Sequence, residues 1–421
     1  MPAMNSASNL SSKPLHVVVA GIVALAVAMG IGRFAFTPLL PMMLADRVID
    51  LPTASWLASA NYLGYMLGAL LCTVQPWLWR KLQITRPVNV PLMVRIGLAA
   101  TVVLTLGMAL QISFVWPWMR FAAGMASAFV FVYTSGWCLA QLAQLKLPTM
   151  GALIYTGPGC GIVLSGLAAS AMVHLRWSAA TGWVIFGVLA ACLTAAVWRV
   201  FRPHRVPPTA SPTAAPVAVV EASPMHGSTE TTMLAIAYGL SGFGYIITAT
   251  FLPVIARQAL PGSPWLDLFW PIFGVGVVAG ATIASRIRSV GDLRIRLAVC
   301  YAIQAAGIIT SLLYPNLVGF ALGSLLTGLP FTAISFFGMQ EARRMRPDQA
   351  QSTMGLLTAL YGLGQVLGPP MVARLLSHSS TLVEGFSLSL EIAAAALVLG
   401  ALLYALMIRV FPLRRTHRLE A

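Results

Sequence analysis

The chain has 421 residues, of which 58% are hydrophobic and only 9% are charged. No soluble domain can bury that much apolar surface, so the composition excludes a soluble protein and indicates one that crosses a membrane several times. The formal net charge of +15 would also suit a nucleic-acid-binding protein, but basic residues collect in the cytoplasmic loops of membrane proteins. We therefore expect the lipid bilayer as a partner and no nucleic acid.

Twelve apolar segments follow one another, and each is long enough to cross the hydrocarbon core as a helix. They are predicted at residues 16–44, 53–75, 93–113, 116–141, 151–173, 181–200, 232–256, 265–285, 295–314, 317–340, 353–376 and 385–408. The first is far longer than the apolar core of a signal peptide, so we interpret it as a retained helix. The predicted fold class is therefore an all-α integral membrane protein.

A change of composition divides the chain after the sixth segment. Residues 201–231 are rich in Pro, Ala, Ser and Thr and predict a disordered cytoplasmic linker. We expect an N-terminal six-helix bundle over residues 1–200 and a C-terminal six-helix bundle over residues 232–421.

The distribution of basic residues predicts the orientation. With the N-terminus inside, the predicted cytoplasmic segments hold 20 of the 26 Lys and Arg residues, the outer segments hold five, and Arg33 lies within a span. This bias places both termini in the cytoplasm under the positive-inside rule. We expect a multi-pass protein of a bacterial inner membrane.

The two halves repeat each other. Gly30-x-Gly32 followed by Pro41 matches Gly242-x-Gly244 followed by Pro253 at an offset of 212 residues, and Gly157-Pro158 matches Gly368-Pro369 at 211. Because each half has an even number of spans, the repeats are parallel and related by an axis along the membrane normal. Such proteins hold their substrate near the midplane between the halves and alternate access by rocking.

One motif makes a family resemblance specific. The stretch Gly30-Ile31-Gly32-Arg33-Phe34-Ala35-Phe36-Thr37-Pro38-Leu39-Leu40-Pro41 resembles the signature of the YbfB/YjiJ-type branch of the major facilitator superfamily (MFS). The chain is similar to that superfamily over essentially its whole length. The resemblance implies two pseudo-symmetric six-helix bundles, the MFS fold, and transport of a small-molecule substrate.

Two further stretches resemble superfamily motifs, and one departs from them. Arg120-x-x-x-Gly124-x-x-x-Ala128 resembles the fourth-helix basic motif, which the superfamily associates with proton transfer. Gly157-Pro158-Gly159-Cys160-Gly161 resembles the fifth-helix motif associated with antiporters. The loop after the second span has Arg80-Lys81 but lacks the superfamily's usual aspartate, so the ion pair of the cytoplasmic gate is not expected there.

Arg33 is the principal candidate for binding the substrate. It is the only basic residue in the first apolar segment, and a guanidinium at that depth costs about 3 kcal/mol on insertion scales. No acid lies in the central apolar part of any span, so an anionic or zwitterionic substrate could supply the counter-charge. The alternative is a structural arginine, satisfied by carbonyls that Pro38 and Pro41 expose or by a neighbouring helix.

Other polar and aromatic residues at membrane depth are expected to line the same cavity. Tyr245 occupies the position of Arg33 in the second repeat, although a packing role is equally open. Any one of these residues is more often an interhelical contact than a ligand contact. The candidates are Phe36, Thr37, Tyr65, Tyr133, Trp137, Tyr245, Tyr361 and Gln365.

Five residues are candidates for gating or coupling. Arg120 fits proton coupling, but its place at the start of a predicted span also fits an outer-interface anchor that reaches the headgroups. Gly157, Pro158 and Gly161 fit either close helix packing or a hinge that seals an antiporter. Glu391 is the acid nearest to the spans' central parts and could bind a coupling proton, although its helix is peripheral.

The sequence offers no catalytic or nucleotide-binding motif. It has no Gly-x-Ser-x-Gly elbow, no Walker loop and no His-Glu-x-x-His, and its five cysteines lack metal-ligand spacing. We therefore expect no enzyme activity and no cofactor. The predicted function is secondary active transport of a small, anionic organic solute. The alternatives are proton-coupled efflux of drugs or metabolites, and a membrane sensor that transports nothing.

Overall fold

A computed structural model describes residues 14–84, 88–202, 228–263, 265–287 and 291–413. Within those ranges the chain forms helices and no strand, and twelve of the helices are long and apolar enough to cross a membrane. Numbered in chain order, helices 1 to 12 are Pro14–Ala45, Leu51–Lys81, Val90–Leu110, Ser113–Gln144, Met150–His174, Ala179–Trp198, Thr229–Ala259, Leu266–Arg286, Leu293–Leu313, Leu317–Met345, Ser352–His378 and Leu382–Val410. The prediction of an all-α protein with twelve membrane-spanning helices is confirmed.

The predicted linker, residues 201–231, lies mostly outside the described residues. Its last four residues are helical, because the α-helix of helix 7 begins at Ser228. The Glu230 side chain is fully buried there and pairs with Arg294 at 2.8 Å. The composition of this stretch suggested a linker, whereas the buried ion pair explains why its polar end is helical.

The packing of the helices follows the internal repeat. Helix 2 packs against helix 11, helix 5 against helix 8, and helix 1 against helix 7. If each helix is exchanged for its counterpart six places along the chain, the pair formed by helices 2 and 11 becomes the pair formed by helices 8 and 5. The pair of helices 1 and 7 maps onto itself. The contacts between the first six and the last six helices therefore have the pseudo-twofold relation that the sequence repeat predicts.

Helix 1 is interrupted at Arg33. Residues Ala26–Arg33 form a π-helix, a turn follows, and an α-helix resumes at Phe36–Ala45. Within this segment the backbone N–H of Phe34 bonds to Met29 O, five residues earlier, at 3.0 Å. Such a segment leaves carbonyl groups without helical partners, and π-helical turns are frequent at functional sites.

Helix 1 contacts helix 5 with no side chain between the two backbones. A Cβ atom built on Gly30 would lie 2.3 Å from the Cα of Gly161, and one built on Gly161 would lie 2.5 Å from the carbonyl oxygen of Ala26. Only glycine permits this approach, which is typical of membrane helices that pack through small residues. The interrupted segment of helix 1 is therefore fixed against helix 5.

A buried cluster of charges joins the helix ends of the second repeat on the side where helix 1 begins and helix 12 ends. Arg294 is fully buried, pairs with Glu230 and Asp292 at 2.8 Å each, and lies 3.9 Å from Glu341. Glu341 also pairs with Arg344. Arg294 further donates to Met407 O at the end of helix 12. The cluster connects helices 7, 9, 10 and 12.

Candidate substrate site

Arg33 lies inside the protein, at the end of the π-helical segment, and its side chain is bonded to a neutral partner. The residue is only 2% exposed, and Nη2 donates to Oε1 of Gln365 on helix 11 at 2.5 Å. No carboxylate of the described residues forms an ion pair with it. Because an amide carries no charge, this contact leaves the positive charge of the guanidinium without a counter-charge.

Aromatic rings surround the Arg33 guanidinium within the first repeat. Its Cζ atom lies 3.9 Å from the ring centroid of Tyr65, 5.2 Å from that of Phe34 and 5.3 Å from that of Tyr62. Stacking on ring faces stabilises a cation that has lost its water, which partly offsets the cost of burial. Tyr62 is buried, whereas Tyr65 is half-buried.

A second aromatic group lies on the other side of Gln365. Its Nε2 donates to the hydroxyl of Tyr245 at 2.6 Å. The Tyr245 ring stacks on Tyr361 at a centroid distance of 5.7 Å and meets Phe331 edge-on at 5.0 Å. Five predicted site residues, Arg33, Tyr65, Tyr245, Tyr361 and Gln365, thus form one connected group from helices 1, 2, 7 and 11.

Four other candidates contact different parts of the protein. The Phe36 ring lies 4.8 Å from Cζ of Arg120, and the Thr37 hydroxyl donates to the carbonyl oxygen of Ala249 on helix 7 at 2.7 Å. Tyr133 and Trp137 on helix 4 pack against Phe129 and Phe201 at centroid distances of 6.3 and 5.0 Å. Their role in substrate binding stays a prediction.

Arg120 is buried and donates hydrogen bonds to the interrupted segment of helix 1. It is 2% exposed and lies about 10 Å along helix 4 from the first residue of that helix, Ser113. Its Nη2 donates to the carbonyl oxygen of Arg33 at 3.1 Å and its Nη1 to that of Gly32 at 3.4 Å. The outer-anchor interpretation of Arg120 is therefore wrong: the predicted span began too late, and carbonyls without helical partners attract the side chain inward.

Side chains of helix 4 bond to several backbone carbonyls of helix 1 near Arg33. Arg120 donates to the carbonyl oxygens of Gly32 and Arg33, and Ser127 on helix 4 donates to Ala28 O at 2.7 Å. The guanidinium of Arg33 instead bonds to Gln365. Helix 4 therefore holds the backbone of helix 1. The bond to Gln365 on helix 11 fits the neighbouring-helix form of the structural alternative, and the role of Arg33 in substrate binding stays a prediction.

The fifth-helix glycines lie at a helix start. The α-helical part of helix 5 begins at Gly157 after a 3₁₀ segment, and Pro158 occupies its first turn, where a missing N–H costs little. Gly157 and Gly161 face helix 1, and Gly159 faces Val278 of helix 8. These contacts support the packing interpretation. A hinge or seal at this place stays a prediction.

Glu391 lies on the exposed face of helix 12, between the buried residues Leu390 and Ala393. It forms no ion pair with Arg33 in the described part of the chain. The structure therefore does not bring it to the site as a counter-ion. Its role as a proton-coupling group stays a prediction without a structural contact to support it.

The sequence-based site also omitted several residues. Tyr62 contacts the guanidinium, and Tyr238 extends the aromatic group by packing on Tyr361 at 4.9 Å. The helical spacing could have indicated both, because Tyr62 lies three residues before Tyr65 and Tyr238 lies seven before Tyr245. Phe331 had no such signal, since helix 10 contributes it only through tertiary packing.

Comparison with known proteins supports the twelve-helix transporter fold. The family profile described as "Uncharacterised MFS-type transporter YbfB" matches residues 25–405. A curated relative, the "Uncharacterized MFS-type transporter YceJ" of Bacillus subtilis (strain 168), is 28% identical over 273 residues, which cover 61% of this chain. The match spans 63% of the relative's own length, slightly under two thirds.

Two solved structures share the fold. A point mutant of the nucleoside transporter NupG superposes with a TM-score of 0.70 at 14% identity and covers 94% of this chain and 99% of that chain. A bacterial homologue of the human lysosomal transporter Spinster, inward-facing and unoccupied, superposes with a TM-score of 0.63 at 12% identity and covers 96% of this chain and 98% of that one. At such identities the likeness extends to the fold alone.

Proposed function

The chain belongs to the YbfB-type family of MFS transporters, and from that premise we propose that it is a secondary active transporter of a small organic anion. The anion binds at Arg33, near the middle of the membrane, and crosses by alternating access as the bundles of residues 1–200 and 232–421 rock about their interface. The observation that carries this proposal is a buried guanidinium whose bonded side-chain partner is a neutral amide.

The electrostatics of the site support an anionic substrate. An arginine removed from water is stabilised when a carboxylate or phosphate accepts two parallel hydrogen bonds from its planar fork. Nε of Arg33 is buried and has no hydrogen-bond partner among the described residues, so one donor of the fork is free for an incoming anion. A neutral solute would supply no counter-charge, so the free-energy cost of burying the Arg33 guanidinium would be unchanged.

The aromatic residues support an organic solute. The half-buried ring of Tyr65 on helix 2 lies against Arg33, and the half-buried ring of Tyr361 on helix 11 stacks on Tyr245, the partner of Gln365. Ring faces bind apolar or planar groups through dispersion and stacking. An organic anion would place its charged group at Arg33 and its carbon skeleton against these tyrosines.

Proton-coupled efflux is the second candidate function. Its support is the burial of Arg120 against helix 1 together with the close contact of Gly161 with Gly30, since both stretches resemble motifs of proton-coupled antiporters. The two candidates differ in energy source. Counterflow in proteoliposomes that continues without a pH gradient would favour uncoupled or solute-coupled transport, whereas a requirement for the gradient would favour the antiporter.

The test begins with purified protein and small acids. Thermal shift is measured with a panel of carboxylates and organophosphates and with their neutral amides or alcohols, on the wild type, on Arg33→Gln and on Arg95→Gln. Arg95 is a suitable control because it bonds to Trp198 O at the helix ends, outside the site. We expect anions to stabilise the wild type and Arg95→Gln but not Arg33→Gln.

Transport is then measured in proteoliposomes with the acids that bind. Net flux that Arg33→Gln abolishes, while the variant still inserts, would support the proposal and exclude a sensor that transports nothing. Undiminished flux through Arg33→Gln would refute the role of this residue.

A further inference from the structure

The first and second repeats are joined by hydrogen bonds in one restricted zone. Among the described residues, four side-chain hydrogen bonds connect helices 1 and 2 with helices 7 and 11. We call them the interface hydrogen bonds: Arg33 Nη2 to Gln365 Oε1 at 2.5 Å, Thr37 Oγ1 to Ala249 O at 2.7 Å, Ser59 Oγ to Val366 O at 2.9 Å, and Tyr62 OH with Thr250 Oγ1 at 2.8 Å.

These bonds involve two pairs of adjacent residues in the second repeat. Gln365 and Val366 lie midway along helix 11, Ser352–His378, while Ala249 and Thr250 lie in the half of helix 7 near its end at Ala259. The zone thus extends from the depth of Gln365 toward the side of the membrane opposite the start of helix 1 and the end of helix 12. We call this side the closed side, because these four bonds join the two repeats there.

Gln365 and a substrate anion would compete for the same edge of Arg33. On an arginine, Nε–H and one N–H of Nη2 point in the same direction and form the fork that binds both oxygens of a carboxylate. In the structure Gln365 Oε1 occupies Nη2, while Nε is buried without a partner in the described part of the chain. A carboxylate that takes both donors displaces the Gln365 oxygen if that oxygen holds the N–H of Nη2 on this edge.

We propose that Gln365 is an internal substitute for the substrate's carboxylate, so that anion binding breaks the Arg33–Gln365 bond and loosens the closed side. This inference rests on the proposed function, because it assumes that the anion binds at Arg33. It adds a coupling step: the group that recognises the anion also belongs to the interface hydrogen bonds. The remaining three bonds are neutral and weaker than one donated by a charged group, so the loss of this one matters most.

When an anion displaces its oxygen from Arg33, the Gln365 side chain still keeps one hydrogen-bond partner. Its Nε2 already donates to the Tyr245 hydroxyl at 2.6 Å, and that contact lies within the second repeat. Helix 11 therefore stays bonded to helix 7 through Gln365 and Tyr245, while the bond between Gln365 and helix 1 is lost. The bond that breaks is the one between the repeats, which is what opening requires.

The test measures closure directly, on full-length protein in detergent. Ala249 is fully buried beside the Thr37 bond, so a cysteine placed there by Ala249→Cys, with the five native cysteines replaced by serine or alanine, reports opening through its rate of reaction with a maleimide. The rate is compared in four backgrounds: unchanged, Gln365→Met, Gln365→Glu and Gln304→Met. Gln304 is the matched control, because it is a buried glutamine that bonds to Thr327 O on helix 10.

We expect Gln365→Met to raise the labelling rate about tenfold, since one charge-assisted bond is lost. Gln365→Glu should label more slowly than the unchanged protein, because its carboxylate occupies both donors of the fork as the anion would but stays attached to helix 11. Gln304→Met should leave the rate unchanged. Equal rates for Gln365→Met and the unchanged protein, or faster labelling of Gln365→Glu, would overturn the inference.

Benzoate and inorganic phosphate, each with a chloride control, serve as the anion probes in a second arm. An anion that shifts the thermal stability through Arg33 but leaves labelling unaltered in every background refutes the coupling and keeps the proposed function. Labelling that responds to Gln365→Met while no anion in the panel acts through Arg33 refutes the proposed function and the role of Gln365 as a substitute. A rise in the labelling rate with anion in the unchanged protein, absent in Gln365→Glu, supports both.

Discussion

Arg120 donates a hydrogen bond to the backbone carbonyl of Arg33 at 3.1 Å, so one buried arginine positions the backbone of another. The two residues are 87 positions apart and lie on helices 4 and 1. Their charges would repel each other if the guanidinium groups met, but Arg120 binds the backbone while the Arg33 side chain extends to Gln365. The arrangement keeps two cations inside the first repeat and uses only one for the proposed substrate contact.

Removal of Arg120 should destabilise the interruption in helix 1. Arg120→Met leaves the carbonyl oxygens of Gly32 and Arg33 without these side-chain donors, and each buried polar group left unpaired costs about 1–3 kcal/mol. We expect a clearly lower melting temperature of the purified protein. Arg374→Met, at an exposed position, is the control and should melt like the wild type. Equal melting of the two variants would contradict the assigned role of Arg120.

A lysine should not replace the arginine of the site. Arg33→Lys keeps the positive charge but loses the planar fork and the stacking on Tyr65 at 3.9 Å. Loss of one charge-assisted contact corresponds to a reduction in anion affinity of about 10- to 100-fold. The reduction is measured by titrating the wild type and the variant with an anion that binds the wild type. Affinities within a factor of two would show that charge alone suffices.

The contact between helices 1 and 5 should reject any larger side chain. In Gly161→Val the added atoms would collide with the backbone of Ala26 and Gly30, within 3 Å of the new Cβ. We expect a sharp loss of monodisperse protein in size-exclusion chromatography. Gly136→Val is the matched control on helix 4, since nothing lies within 4 Å of a Cβ at that position. Similar yields from the two variants would rule out close packing at Gly161.

The buried charge cluster around Arg294 on helix 9 should matter more to stability than Arg95 on helix 3, the counterpart of helix 9 in the first repeat. Arg294→Met leaves Glu230 and Glu341 buried without this cation, which costs about 3–5 kcal/mol for a broken buried pair. Arg95→Met removes only a bond to Trp198 O. The melting temperature should therefore fall strongly in Arg294→Met and little in Arg95→Met. A larger drop in melting temperature for Arg95→Met than for Arg294→Met would contradict the stabilising role of the cluster.

The cluster also predicts a pH dependence. Burial opposes ionisation of Asp292, but hydrogen bonds and the charge of Arg294 outweigh it and lower the pKa of that carboxyl. Its contribution to stability is complete above its unfolded pKa of about 3.9 and is lost as the pH falls through the lower folded value. The difference in melting temperature between wild type and Asp292→Asn should be constant at neutral pH and shrink below about pH 4. A difference that grows on acidification would reverse the assigned sign.

Sequence reasoning predicted the class, the number of helices and the repeat because these depend on local composition. A bilayer accepts only segments that satisfy their own backbone hydrogen bonds, so twelve apolar runs of the right length become twelve helices. Arg33 stood out for the same reason, since one charge in an apolar run needs no tertiary information to be noticed. The Pro- and Ser-rich composition before helix 7 misled the prediction at Ser228, where burial of Glu230 outweighed it.

Tertiary structure alone decided what each of these residues touches. Gln365 lies 332 positions from Arg33 and meets it only because helices 1 and 11 pack together. Arg120 turns inward because carbonyls of an interrupted helix, on another part of the chain, have no other donors. Glu391 faces outward because its neighbours Leu390 and Ala393 occupy the packed side of helix 12. Hydropathy records how far a segment lies from water, whereas the partner of a buried polar group depends on which helix faces meet, and no local stretch of sequence contains that information.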